Sequence, residues 1–342
     1  MGLGEGFVFP TIASLAARWF PPSERGAVAA LYTSGNQLAG TIGGFASASL
    51  CSLDFLEGWP LIFYIFGGLG CLWCVVFMIV ASNSPDENKW ISDEEKHYIK
   101  EFLPHRPGSS QGQKHAPVPW RALATSTVIL SNLVAQFSFN YTQTTLQSFL
   151  PAYFRDILLL DLKSNGLYTV LPFLFQLIFK NVFGNLSDYL KRHGHLTPTL
   201  AAKVFQGIAS FGAAATFAGL ALFVDCEKPT LALALLSING LCFASGNSGF
   251  YVSSISIAPI YTGVIISLSM FFGMIANTLA PLTFGLVNSQ GSQEEWRNVY
   301  VICAAINVFA GVMFLTFGSA KVQEWAMPKQ QKSQVQDVVM ST

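Results

Sequence analysis

Nine apolar segments, each long enough to cross the hydrocarbon core of a bilayer, follow one another along the chain. A membrane-spanning helix needs about 20 apolar residues to cross about 30 Å of hydrocarbon. The segments cover, approximately, residues 2–20, 27–53, 59–82, 124–152, 166–188, 199–223, 229–253, 260–288 and 298–319. Turns with Pro, Gly or charged residues separate most of them. We therefore predict an all-α, polytopic membrane protein.

The overall composition supports a membrane protein and argues against a nucleic-acid partner. Hydrophobic residues make up 51% of the chain and charged residues 11%, and the mean hydropathy is +0.45. A soluble domain carries roughly a quarter charged residues, so we expect a lipid bilayer around this chain. The formal net charge is zero, which leaves no overall basic field to attract nucleic acid.

Nucleophiles and metal-ligating side chains do not form a catalytic constellation in the sequence. Cys71 and Cys74 form a C-x-x-C pattern inside an apolar segment, where two small packing residues are the commoner interpretation. All five histidines lie in polar loops, so Ser248 has no histidine base in a neighbouring span. His193 and His195 alone are too few for a metal site. We predict a protein that is not an enzyme and has no cofactor or metal.

The polar residues 83–123 divide the apolar segments into two groups. Ser92 and Glu95 have the spacing of a capping box, and the apolar residues behind them predict a short amphipathic helix at the membrane surface. The predicted domains are 1–82 with three spans, 83–123 as a cytoplasmic linker, 124–320 with six spans, and 321–342 as a cytoplasmic tail.

Lysine and arginine lie mainly on one side of the predicted membrane. If the nine segments alternate in direction, that side carries the linker, the loop with Lys191 and Arg192, and the C-terminal tail. The loops on the other side hold nearly equal numbers of acidic and basic residues. Because basic loops stay in the cytoplasm, we predict a cytoplasmic C-terminus and place Met1 on the opposite side.

Glu5 is an acidic residue in the first apolar segment, among glycines that permit close helix packing. A carboxylate at mid-membrane costs about 2.5–3.5 kcal/mol on insertion scales, so such a residue usually has a function. If Met1 is the true start of the protein, Glu5 would instead lie at the outer surface. We favour a role for Glu5 in coupling to a proton or another cation.

Four residues of the later segments are candidates for substrate binding. Lys180 lies two helical turns before Asp188, about 12 Å from the predicted cytoplasmic end. It either reaches the interface and pairs structurally or binds an anion. Asn140 and Tyr141 form a polar patch inside a span, and Ser253 belongs to a serine-rich one. Such residues serve either helix–helix contact or hydrogen bonding to a substrate in a central cavity.

A series of specific motifs extends over nearly the whole chain. They begin with GLGEGxxFP and RWFPPSERG, continue through GWPLIFYIFGGLGCLW, ISDEEKHYIKEFL and FSFNYTQTTLQSFLPAYFRDIL, and end with AAINVFAGVMFLTFGSAKVQEWA. In these motifs the chain resembles the anion-transporter family of the major facilitator superfamily. That family includes sialin, the vesicular glutamate transporters and the sodium–phosphate cotransporters.

The resemblance implies twelve helices in two halves of six, with the first segment of this chain at the fourth helix. The first three helices would then be absent, and with them a family arginine that precedes GLGEG and is thought to face the anion. Family members often read N-H-L-D where this chain has Ser253 to Ser256. Vesicular glutamate transporters have an arginine where Asn140 stands, whereas sialin-like members have asparagine. A glutamate-loading role is therefore disfavoured.

Two charged pairs resemble gating elements of the superfamily at the cytoplasmic side. Gly184, Asp188 and Arg192 approximate the G-x-x-x-D-x-x-x-R signature that follows even-numbered helices. In the superfamily this acid and base form a cytoplasmic latch, although an ordinary solvated helix end also explains the charges. By this resemblance we assign gating to Asp188 and Arg192, and to Glu24 and Arg25.

The resemblance implies secondary active transport of organic or inorganic anions, of the acidic-sugar (sialic acid) or phosphate class, coupled to H+ or Na+. Two halves would rock about a cavity at mid-membrane. The expected partners are a small anionic substrate and lipid, in a lysosomal, vesicular or plasma membrane, and the expected state is a monomer or weak dimer. The alternative is a non-transporting truncated fragment or isoform, since without three helices polar cavity groups would meet lipid.

Overall fold

The fold is all-helical throughout the residues that the structure describes. This computed structural model describes residues 25–51, 59–82, 90–102, 118–159, 162–226, 228–258 and 261–326, with isolated positions in 8–20 and 85–88. Every regular element in these ranges is a helix. The chain divides into two compact units, residues 1–39 with 49–116 and residues 40–48 with 117–342. The predicted all-α fold is confirmed.

Among the described residues, three helices precede the bundle of the second unit. α1 covers Arg25–Cys51, α2 covers Trp59–Val80 and α3 covers Asp93–Phe102. α2 has a mean hydropathy of 2.3 and none of its residues is buried, so its whole surface suits an apolar environment. α3 is the amphipathic helix that the sequence predicts: the backbone N–H of Glu95 donates to Ser92 Oγ over 3.2 Å.

In the second unit, helices cover all six segments that were predicted as spans after the linker. Its helices are α4 Trp120–Thr125, α5 Thr127–Asp156, α6 Leu162–Arg192, α7 Pro198–Phe223, α8 Pro229–Ala244, α9 Phe250–Ser256, α10 Thr262–Val287 and α11 Gln293–Phe317. In the described residues six spans are long and apolar enough to cross a membrane: α2, most of α6, α7, α8 with α9, α10 and α11. α5, with 30 residues, is as long as these spans but is not among them.

The core of this unit lies where three pairs of helices pack together: α11 on α7, α10 on α5, and α8 on α6. Its largest fully buried side chains include Phe154, Phe217 and Trp296. α8 packs closely on α6 at Gly240, where an added Cβ would lie 2.2 Å from the carbonyl oxygen of Pro172. Only a residue without a side chain permits this helix crossing.

The span formed by α8 and α9 is interrupted by a 3-10 turn at Ser245–Ser248. A break in a spanning helix frees backbone groups that lipid cannot satisfy, so protein groups must bind them. Gln206 of α7, 4% exposed, accepts a hydrogen bond from the backbone N–H of Phe250 over 3.2 Å. Ser245 Oγ donates to the carbonyl of Phe205 over 2.9 Å. The serine-rich segment is therefore a break in the helix that α7 stabilises.

Candidate functional site

A row of polar side chains lies along one face of α5. At 100° per residue, a sector of about 100° around the helix contains Gln136, Asn140, Gln143, Thr144 and Gln147, so they lie on one side of it. The first four are half-buried and Gln147 is exposed, whereas other faces of α5 pack into the core. We call these five residues the polar face of α5.

Hydrogen bonds from two neighbouring helices hold the polar face in position. Gln176 of α6, 2% exposed, donates from Nε2 to Gln143 Oε1 over 3.4 Å. Thr144 Oγ1 donates to Asn277 Oδ1 of α10 over 2.8 Å. An amide side chain offers two donor hydrogens and an acceptor oxygen with two lone pairs. Each amide here therefore keeps bonding capacity beyond these contacts, which a small polar ligand can use.

Asn140 lies at the centre of the polar face, against a glycine of α10. Its Nδ2 donates to the carbonyl of Gln136 one turn earlier over 3.0 Å. A Cβ at Gly273 would lie 2.7 Å from Asn140 Nδ2 and 3.1 Å from Asn140 Cγ. The absence of a side chain at Gly273 thus gives Asn140 its place between α5 and α10.

Lys180 lies on α6 at the same level as Asn140. α5 and α6 run antiparallel because only residues 157–161 join them. The contact between Gln143 and Gln176 shows which levels of the two helices face each other. At 1.5 Å per residue, Asn140 lies about 4.5 Å from this contact along α5, and Lys180 lies about 6 Å from it along α6 in the same direction. Lys180 is half-buried and lies one turn beyond Gln176, on the same side of α6. The geometry therefore adds a cation to the level of the polar face.

Tyr141, the second residue of the predicted polar patch, points away from the polar face. It is 4% exposed and belongs to the hydrophobic core, where its ring stacks on Phe137. Its hydroxyl is hydrogen-bonded to Thr283 Oγ1 of α10. At 100° per residue, Tyr141 lies about 100° around the helix from Asn140 and about 160° from Gln143. This position favours a role in joining α5 to α10 over substrate contact.

Ser253 also lies away from the polar face. It is fully buried, close to Ser319, which follows the C-terminal end of α11. Its Oγ donates to the carbonyl of Ser319 over 2.6 Å and accepts from Asn132 Nδ2 over 3.1 Å. Ser254 Oγ completes the cluster by donating to Asn132 Oδ1 over 3.0 Å. Because protein groups already bind this hydroxyl, the structure does not place Ser253 where a substrate reaches it.

The predicted gating and coupling residues fall partly outside the described residues. Glu5 and Glu24 lie outside them, and α1 begins at Arg25, whose side chain is likewise not described. Asp188 forms an ion pair with Lys191 over 2.8 Å and is 60% exposed. The pair joins Asp188 to Lys191 rather than to Arg192, at an exposed end of α6, where an ion pair contributes little stability. The gating assignment remains a prediction.

Sequence and structure comparisons identify the family. The family model of the Major Facilitator Superfamily matches residues 1–281. Human sialin is 31% identical over 326 residues, which cover 95% of this chain and 64% of sialin. Human sodium-dependent phosphate transport protein 4 is 33% identical over 315 residues, which cover 90% of this chain and 71% of that protein. A crystal structure of a bacterial homologue of the human lysosomal transporter Spinster matches with a TM-score of 0.68 at 15% identity, over 89% of this chain and 73% of that one.

The chain belongs to the major facilitator superfamily and, within it, to the anion-transporter family that includes sialin and the sodium-phosphate transporters. The family resemblance seen in the sequence is thus confirmed, and so is the prediction of a multi-pass membrane protein. The similarity to the Spinster homologue, at 15% identity, supports the fold alone. The chain spans about 60–65% of the length of the first curated relatives that it matches.

Proposed function

We propose that this protein is a secondary active transporter of small anions, driven by co-transported H+ or Na+. Relatives named sialin and sodium-dependent phosphate transport protein support transport of an anion. In folds of this class the substrate lies near mid-membrane, between helices that carry polar groups. The polar face of α5 supplies such groups at the middle of a span, and this observation carries the proposal.

The chemistry of the polar face bears on the class of anion. Gln136, Asn140 and Gln143 offer neutral donors and acceptors, which suit hydroxyl and amide groups of a ligand. Phosphate is usually bound by several cations or backbone N–H groups, because it carries more charge on fewer atoms. In the described residues Lys180 is the cation that the helix geometry brings to this level. We therefore favour a carboxylate with several hydroxyl groups, of the acidic-sugar class, over inorganic phosphate.

Reconstitution in liposomes tests this proposal directly. The purified protein is given an inward H+ gradient or an inward Na+ gradient, and uptake of radiolabelled sialic acid, glucuronate and phosphate is measured in parallel. We expect gradient-driven uptake of the acidic sugars to exceed that of phosphate. Preferential uptake of phosphate would contradict the substrate class. Correctly inserted protein that takes up none of the three would support the non-transporting alternative.

A further inference from the structure

Asn277 of α10 adds a polar group from a second helix to the polar face of α5. Gly273 lies against Asn140. Four residues further along each helix, Asn277 is hydrogen-bonded to Thr144. The two helices therefore run in the same direction here, and Asn277 lies about 6 Å along them from the level of Asn140. Its side chain is half-buried, so part of it is open to a ligand.

The hydroxyl of Thr144 fixes the orientation of the Asn277 amide. It donates to Asn277 Oδ1 over 2.8 Å, which leaves Nδ2 beside the sulfur of Met274, at 3.7 Å. In the opposite orientation Oδ1 would face this thioether sulfur, which has no hydrogen to donate. Asn277 therefore presents its N–H donors, and not its acceptor oxygen, on the side away from Thr144.

The Nδ2 atom of Asn277 keeps donor capacity that its contacts within the protein do not use. An amide nitrogen carries two hydrogens, and a thioether sulfur is a weak acceptor. Met274 is 60% exposed, and its contact with Nδ2 is exposed as well. An oxygen of a ligand can therefore reach this nitrogen and replace the sulfur as its acceptor.

The carboxylate and the hydroxyl groups of an acidic sugar would meet different levels of this site. Lys180 lies at the level of Asn140, and Asn277 lies about one helical turn, or about 6 Å, from that level. In a hexuronate, the carboxylate and the hydroxyl on the opposite ring carbon are separated by a comparable distance. A sugar whose carboxylate lies near Lys180 therefore brings that hydroxyl to Asn277.

We propose that Asn277 determines specificity by donating from Nδ2 to a ring hydroxyl of the acidic sugar, and that Thr144 is its positioning residue. This inference rests on the proposed function and names a contact within that same site. It also gives a reason for preferring an acidic sugar to phosphate, because a phosphate bound near Lys180 does not extend to Asn277.

Uptake of labelled glucuronate into liposomes tests the contact, with unlabelled glucuronate and 2-deoxyglucuronate as competitors. The deoxy sugar lacks the hydroxyl across the ring from the carboxylate. It should inhibit uptake by the unaltered protein about fivefold less strongly than glucuronate does, as expected for one lost hydrogen bond. Asn277→Ala should raise the KM for glucuronate about tenfold, with little change in kcat or melting temperature. The two competitors should inhibit this variant equally, because the group that distinguishes them is gone.

Variants of Thr144 test the positioning role. Thr144→Val removes the hydroxyl that orients the amide and should raise the KM about threefold, whereas Thr144→Ser keeps a hydroxyl and should have nearly the KM of the unaltered protein. Thr278→Val is the matched control on α10. Thr278 is exposed and its hydroxyl donates to the carbonyl of Met274 over 3.0 Å, so this variant should not change the KM.

Failure of this inference can be distinguished from failure of the proposed function. If glucuronate is taken up and Asn140→Ala raises the KM, but Asn277→Ala behaves like Thr278→Val, the contact alone is overturned. Equal inhibition of the unaltered protein by the two competitors also overturns it, and equal KM values for Thr144→Val and Thr144→Ser overturn the positioning role. If the unaltered protein takes up no glucuronate, the inference fails, and uptake of sialic acid then decides whether the proposed function fails with it.

Discussion

Gly273 of α10 lies so close to Asn140 of α5 that an added Cβ would be 2.7 Å from Asn140 Nδ2. The nearest atom is the end of a flexible side chain, so an alanine at this position displaces the amide rather than the backbone. The position of one polar side chain thus depends on a missing side chain in another helix.

Gly273→Ala should therefore change substrate affinity more than stability. We expect the KM for the transported anion to rise about three- to tenfold, because Asn140 moves from its place on the polar face. The melting temperature should change little. Gly285→Ala on the same helix is the matched control, since nothing lies within 4 Å of a Cβ there. Equal KM values for the two variants would show that the position of Asn140 does not matter for transport.

Gly240→Ala should instead lower the stability of the folded protein. The added Cβ would lie 2.2 Å from the carbonyl oxygen of Pro172 and 2.9 Å from its carbonyl carbon. Both are backbone atoms, so no side-chain rotation relieves the clash. Overpacking of this kind destabilises by about 1–3 kcal/mol. Thermal unfolding in detergent should show a lower melting temperature, whereas Gly207→Ala, whose nearest contact is at 3.7 Å, should not. An unchanged melting temperature would mean that α6 and α8 do not cross at this distance.

Removal of the positive charge of Lys180 should weaken the binding of the anion. We expect Lys180→Gln to raise the KM for the acidic sugar about tenfold, because one electrostatic contact at the level of Asn140 is lost. Lys203→Gln is the control: Lys203 Nζ donates to the carbonyl of Thr316 over 3.4 Å. Uptake kinetics measured over a range of anion concentrations distinguish the two. An unchanged KM in Lys180→Gln would assign Lys180 to a structural role.

Glu5→Gln should abolish uptake driven by an ion gradient while leaving membrane insertion intact. A carboxylate that binds the coupling ion loses that function when it cannot ionise. Counterflow exchange of labelled for unlabelled anion, which needs no net ion movement, should persist. Gradient-driven uptake by Glu5→Gln at the rate of the unaltered protein would remove Glu5 from the coupling mechanism.

The helices of the second unit could be predicted from the length of the apolar segments, but their interruptions could not. The segment predicted at 229–253 is one apolar run in the sequence, yet it breaks at Ser245–Ser248. The break is stabilised by Gln206 of α7, and a local pattern does not reveal a partner 44 residues away. Likewise the segment predicted at 124–152 starts inside α4, which ends at Thr125, and continues in a separate helix, α5, from Thr127 to Asp156.

The sequence locates the candidate site around Asn140, but it does not show which side chains there face the site and which face the core. The polar patch around Asn140 was visible, and its three- to four-residue spacing extends from Gln136 to Gln147. The sequence does not show that Tyr141 faces the core, because its burial depends on other helices, such as α10, where Thr283 is hydrogen-bonded to it. Gln176 and Asn277 are isolated polar residues in apolar helices, so only the fold shows that they meet α5.

The central claim is that the polar face of α5 binds the transported anion, and a pair of matched asparagines tests it most directly. Asn140 and Asn181 both donate to the carbonyl four residues earlier, over 3.0 Å and 3.2 Å, but Asn181 is exposed on α6. Uptake of labelled acidic sugar is measured in liposomes with Asn140→Ala and Asn181→Ala. We predict a KM about tenfold higher for Asn140→Ala, as expected for one lost hydrogen bond of about 1.4 kcal/mol, and no change for Asn181→Ala. The same KM in both variants would contradict the claim.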